Sequence, residues 1–191
     1  MKFSTIFAIT LATSSMMMMT VMAANKKNKI VAAASEPSTV SVQPADQTPR
    51  RPKINWGRCP QLEPTERDIE SKSNILQECL RQNPPPQSES ITQEQIIQHQ
   101  QKVTECALKI ENWFDKNGEY KYSKAEKEIK NKNLAKDMEK KLLESHKQCS
   151  QIAKDRSQAV KNMTIVEQVQ VYQGCMDAHI TQNCQIEISA V

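Results

Sequence analysis

Glycine is nearly missing from this chain: 191 residues hold three, at positions 57, 118 and 174. Three glycines cannot supply both a dinucleotide fingerprint and ordinary turns, which argues against a Gly-punctuated α/β enzyme or a Gly-rich phosphate loop. Aromatic residues make up 4% of the chain. Proline is absent after Pro86, so nothing in the last hundred residues interrupts a helix. A mean hydropathy of −0.66 excludes a multispan membrane protein. Local enzyme motifs are missing as well. There is no Gly-x-Ser-x-Gly, no His-Glu-x-x-His and no local Ser/His/Asp set. The chain is therefore expected not to be an enzyme and to need no cofactor, although a dispersed site would leave no such trace.

What is present divides the chain into three. Residues 1–23 read as a secretory signal peptide. Lys2 opens it, Phe3–Met22 is apolar with scattered Ser and Thr, and Val21-Met22-Ala23 offers small residues at the cleavage positions. The apolar stretch is short and hydroxyl-interrupted, which disfavours a membrane anchor. Residues 24–53 form a Lys-, Ser-, Ala- and Pro-rich leader without amphipathic period, expected to be disordered. Arg50-Arg51 is followed by Pro52 and reads as linker rather than as a processing site. Residues 54–191 are the expected domain. The formal charge of +4 sits in the first two segments. The leader carries six basic and two acidic residues, and the domain 19 basic and 20 acidic. A neutral domain offers no electrostatic footprint for nucleic acid.

All six cysteines lie in the domain, at 59, 79, 106, 149, 175 and 184. In an oxidising compartment an even count reads as three disulfides. No Cys-x-x-Cys occurs, so no metal site is expected. With every Cys able to pair, a catalytic thiol is disfavoured too.

Four amphipathic helices are legible, and no clear period-two segment, so the fold class is expected to be all-α. The first runs from about Thr65 to Arg81, with Ile69, Leu76, Cys79 and Leu80 inward, and ends at Pro84-Pro85-Pro86. The second runs from about Thr92 to Asp115, carrying Ile96, His99, Val103, Cys106, Ile110, Trp113 and Phe114 on one face. The third opens on a capping box at Ser123–Glu126 and turns Ile129, Ala135, Met138, Leu142, Cys149 and Ile152 inward. The fourth opens on another box at Thr164–Glu167, followed by Val169, Tyr172, Cys175, Met176, His179 and Ile180. Antiparallel neighbours then suggest three bridges. Cys149–Cys175 would span the turn at 160–162, Cys79–Cys106 the Pro-rich turn, and Cys59–Cys184 the two ends of the domain. Six cysteines allow other connectivities, so the pairing stays an inference.

Three stretches resemble the arthropod pheromone/general odorant-binding protein family, in its divergent mite, tick and spider form. Thr65-Glu66 through Glu78-Cys79-Leu80 is similar to the family's first helix. Ile91-Thr92-Gln93-Glu94-Gln95-Ile96 is similar to the segment after it. Cys106–Ile110, Asp115-Lys116-Asn117-Gly118-Glu119-Tyr120 and Lys124-Ala125 resemble a helix, an Asp-x-x-Gly-Glu-aromatic turn and the next helix. The likeness spans about residues 65–180. It departs where insect members carry one more Cys in the helix of Cys106, at the place of Lys102, so one family bridge is missing. By the resemblance, Cys79–Cys106 corresponds to the family's first bridge, Cys149–Cys175 suits its last and Cys59–Cys184 is additional. Cys175 and Cys184 also have the family's separation, which leaves another alignment open.

The resemblance implies a secreted carrier of small hydrophobic molecules such as odorants, pheromones or lipid-like compounds, in an internal apolar cavity. Trp113, Phe114, Met138, Leu142, Tyr172 and Met176 are the candidate lining, as the bulkiest or most adaptable inward residues, with simple core packing as the alternative for each. Partners would be the ligand and, beyond it, a membrane receptor or another extracellular protein, with no nucleic acid and no membrane insertion after signal cleavage. The competing class is an extracellular interaction or defence protein with a filled core.

Four further features have bland readings. Asp115–Glu126 imitates a calcium loop, but Tyr120 stands where such a loop needs Gly, so no calcium is expected. His99 and His179 on inward faces are expected to find a water or backbone partner, with pH-modulated ligand release as the alternative. Asn162-Met163-Thr164 is a glycosylation sequon at the turn between the last two helices. The Lys/Glu-rich stretch 124–147 reads as a solvated helix face.

Overall fold

The structure, a computed structural model, describes residues 53–87 and 90–189. The expected signal peptide, and the expected leader up to Pro52, lie outside the described residues.

Among the described residues five α-helices and one short 3-10 turn (Pro60–Leu62) build the fold. The α-helices are α1 (Glu66–Gln82), α2 (Gln93–Ile110), α3 (Tyr122–Lys130), α4 (Lys136–Ala159) and α5 (Ile165–Cys184). Three start in the same way. The hydroxyls of Thr65, Thr92 and Thr164 accept the N–H of Asp68, Gln95 and Glu167, whose side chains accept the threonine N–H in return. Each box satisfies two backbone donors that a helix start would leave unpaired. Among the described residues the fold is all-α apart from one ribbon. Strand β1 (Lys53–Asn55) pairs antiparallel with β2 (Glu187–Ser189), setting Lys53 opposite Ser189 and Ile54 opposite Ile188. Three residues per strand are too few for a visible period of two, so the ribbon escapes a sequence reading.

The three bridges are Cys59–Cys184, Cys79–Cys106 and Cys149–Cys175. The α4–α5 pair is the backbone of the packing, with α3 against α4, and α1 and α2 as a hairpin that meets the rest mainly through α2 and α5. The core draws on Met138, Leu142, Cys149 and Ala153 of α4, Val169, Tyr172, Met176 and Ile180 of α5, and Trp56, Leu62 and Ile186 from the chain ends. The thin contact of the hairpin corrects several inward assignments. Ile69 and Leu80 of α1 and Ile96 and Ile110 of α2 are exposed, because no further layer among the described residues covers that side. Ile152 of α4 is 51% exposed.

Two helix boundaries also differ from expectation. The second helix does not reach Asp115. It stops at Ile110, because Asn112 turns left-handed (φ 57°) and the Trp113 N–H closes on the Leu108 carbonyl. The expected third helix is two helices, broken at Asn133 (φ 52°). Ser123 lies inside α3 rather than capping it, no side chain caps α3, and Ala135 is an exposed N-cap for α4. Asn112, Asn133 and Asn162 take left-handed positions that glycine fills in most helical proteins. Gly57 is where glycine is required. Its φ is +52°, and a Cβ there would run into the Cys184 and Gln185 carbonyl oxygens.

Candidate functional site

The loop between α2 and α3 is a tight hairpin. Asp115 Oδ1 accepts the N–H groups of Asn117 (2.8 Å) and Glu119 (3.0 Å), and Gly118 supplies the positive φ of 80°. This carboxylate oxygen therefore serves the turn that the sequence makes look like a calcium loop. The Lys121 N–H donates to the Trp113 carbonyl at 2.8 Å, and Phe114 bridges to Tyr120. The hairpin thereby carries Trp113 and Tyr120 inward together, with their rings stacked at 5.5 Å.

A charged knot fixes the base of this hairpin. Glu111 is buried and pairs with Lys72 of α1 through Oε1. Its Oε2 accepts the Trp113 indole N–H at 2.9 Å. Lys124 donates to the Glu111 carbonyl at 2.5 Å, with its ammonium 4.1 Å from the centre of the Trp113 ring. Burial holds the Lys124 amine below its usual value, against the attraction of Glu128 and Glu111.

Around this anchor the aromatic rings form one cluster. Tyr120 lies 5.0 Å from Tyr122 and 5.6 Å from Tyr172, and Tyr122 meets Tyr172 edge-on at 5.2 Å. His146 of α4 stands edge-on to Tyr172, with Nδ1 2.7 Å from the Tyr172 hydroxyl. Such edge-on and stacked pairs suit the ring quadrupoles. Burial pushes the Tyr122 hydroxyl up to about 12, with Gln168 acting the other way, and drives those of Tyr120 and Tyr172 higher still.

Of the six candidate lining residues, Trp113, Met138, Leu142, Tyr172 and Met176 are buried in the core, and Phe114 is half-buried against it. Trp113 and Phe114 belong to the hairpin, not to a helix face. Surface clefts beside residues 160–171 and between the 60–65 turn and residues 128–133 are lined by other side chains.

The sequence reading missed Tyr120, Tyr122 and His146. His146 carried a usable signal, since it follows Leu142 by four residues and precedes Cys149 by three on one face of α4. Tyr120 was marked by the turn motif. The two histidines that were singled out sit elsewhere. His99 pairs with the Asn83 carbonyl at 2.8 Å, and half-buried His179 lies beside the Cys149–Cys175 bridge. Both sulfurs there are bonded to each other, which leaves His179 no thiolate companion for a metal.

The class is thus a small all-helical domain, locked by three disulfides around an interior rich in tyrosine, tryptophan and methionine. Among solved structures it is similar to OBP1 from the mite Varroa destructor in two crystal forms. Both are 40% identical over 74% of this chain. One match covers 96% of that protein with a TM-score of 0.67, the other 99% with 0.62. No protein-family model matches the chain, and no curated protein does. The chain belongs to the odorant-binding protein family.

Proposed function

We propose that this protein is a secreted, non-catalytic carrier that binds small hydrophobic molecules among its helices, against Trp113, Phe114, Met138, Leu142, Tyr172 and Met176. The observation that carries the reading is the 40% identity to a mite odorant-binding protein over nearly the whole of that protein. The physics is compatible with it. Three bridges can hold helices around a ligand space that an unlinked small core would collapse into. Among the described residues no helix is long and apolar enough to cross a membrane, and every cysteine is in a disulfide. Both features suit the extracellular space. The ligand class is odorant-, pheromone- or lipid-like, and a receptor or other extracellular protein would be the downstream partner.

The test is displacement of a fluorescent apolar probe by volatile and lipid-like compounds. Micromolar probe binding, reversed by such competitors, is the expected result. No probe binding by the folded protein would overturn the reading in favour of an interaction protein with a filled core. Secretion has its own test in a eukaryotic secretory host. Expected are an N-terminus after Ala23 and a glycan on Asn162, which is exposed at the α4–α5 turn. An uncleaved, cell-retained chain would overturn secretion. A secreted chain without added mass at Asn162 would overturn only the glycan.

A further inference from the structure

Two hydroxyls of the aromatic cluster, those of Tyr120 and Tyr122, are buried without a hydrogen-bond partner among the described residues; Tyr122 is half-buried with Gln168 beside its hydroxyl, and Tyr120 is the deeper of the two. Tyr120 is 5% exposed, and its ring packs on Trp113, Tyr122 and Tyr172. The hydroxyl adds nothing to that packing, and no hydrogen-bond partner among the described residues reaches it. Two of its other neighbours are served differently. The Tyr172 oxygen is held by His146 and the Trp113 indole by Glu111. A phenylalanine at 120 would make the same ring contacts without burying an unpaired hydroxyl, a costly arrangement that native proteins seldom keep.

The surroundings define what could pair with this hydroxyl. Burial, followed by the nearness of Tyr122, Glu111 and Glu128, opposes its ionisation, so it stays an O–H donor. Three cations border the cluster, and each is engaged. Lys154 lies over the Tyr122 ring. Lys72 is paired with Glu111, and Lys124 is tied to the Glu111 carbonyl and the Trp113 ring. An incoming carboxylate would meet the fields of Glu111 and Glu128 with no ammonium to spare. An uncharged acceptor meets no such opposition.

We infer that Tyr120 is the polar anchor of the binding site, donating its hydroxyl proton to the carbonyl oxygen of an otherwise apolar, uncharged ligand such as an ester, ketone or aldehyde. The inference rests on the carrier reading above. It adds selectivity: carbonyl compounds should bind more tightly than hydrocarbons of equal length, which cannot pair with the hydroxyl, and more tightly than the matching carboxylates.

The experiment is competition against a naphthylamine fluorescent probe on the full chain. The competitors are decane, the methyl ketone of matched length and the matched straight-chain carboxylate. In the wild type the ketone is expected to bind about fivefold more tightly than the alkane, as one net hydrogen bond allows, and more tightly than the carboxylate. In Tyr120→Phe the ketone-to-alkane ratio is expected to fall to about one. A wild type that does not prefer the ketone to the alkane and the carboxylate, or a Tyr120→Phe protein that keeps the ketone-to-alkane preference, overturns the anchor. The wild-type comparison decides even if the variant fails to fold. If the folded wild type binds no probe, the carrier reading falls and the anchor with it. If the probe binds but alkane and ketone compete equally, the anchor alone falls.

Discussion

The Tyr172 hydroxyl and His146 Nδ1 lie 2.7 Å apart, both residues buried, joining α4 to α5 at the heart of the aromatic cluster. Burial holds the His146 imidazole below its ordinary value. Lys154 and Lys130 add to the effect and Glu126 opposes it. The folded protein therefore keeps this ring neutral at a pH where the unfolded chain takes up a proton. Stability is expected to be flat above about pH 7 and to fall as pH drops through about 6.5 toward the lowered folded value. Urea melts between pH 5 and 8 measure the slope, and His146→Gln should flatten it. A wild-type slope that survives the substitution would assign the effect to another group.

The unpaired Tyr120 hydroxyl has a consequence for stability that needs no ligand. Tyr120→Phe removes a buried, unsatisfied oxygen and leaves the ring in place. The ligand-free protein is expected to gain about 1 kcal/mol, read as a higher urea midpoint at constant slope. A loss of stability would mean that the hydroxyl is satisfied within the fold.

Leu142 and Ile152 stand on the same helix in opposite environments. Leu142 is fully buried, whereas half of Ile152 faces solvent. Leu142→Ala should cost about 2–5 kcal/mol in denaturant melts. Ile152→Ala should shift stability by no more than about 0.5 kcal/mol. Similar losses at both sites would place Ile152 in a contact that the fold does not contain.

At Gly57 a side chain would have to displace the carbonyls that end α5, and the left-handed backbone adds strain. Gly57→Ala is expected to destabilise the protein by more than about 1 kcal/mol. The thermal midpoint checks it. Gly118→Ala should be milder, because nothing lies near its Cβ position and only the positive φ opposes the change.

The Cys59–Cys184 bridge spans 125 residues, so it restricts the unfolded chain more than the other two. Replacing both cysteines by Ala should cost about 2–5 kcal/mol. An unchanged urea midpoint would show that the β1–β2 ribbon alone suffices to hold the ends.

Helix existence was legible wherever local chemistry decided it. Pro64, the capping box at Thr164 and the Pro84–Pro86 run mark ends that the structure keeps within a residue or two. The breaks at Asn112 and Asn133 were not legible, because asparagine is also an ordinary helix-surface residue and only its backbone angle marks the turn. The apolar period on α1 and α2 showed which residues share a face. It could not show that the face has too little behind it to bury Ile69 or Ile96. For the site, the inward stripes of α4 and α5 brought Met138, Leu142, Tyr172 and Met176 to notice. Tyr120 and Tyr122 went unseen as members of the aromatic cluster. Their positions depend on a hairpin held by Asp115 and Glu111, whose partners are far apart in sequence or visible only once the loop is closed.

The β1–β2 ribbon has a mechanical consequence. It sets the strand ends Lys53 and Ser189 side by side, with the Cys59–Cys184 bond close behind. Tension applied between Lys53 and Ser189 would peel the short ribbon and then meet a covalent link. Everything from Cys59 to Cys184, the helices and the aromatic interior included, hangs from that link as an unloaded loop. Two fusion partners attached directly at Lys53 and Ser189 would emerge as neighbours.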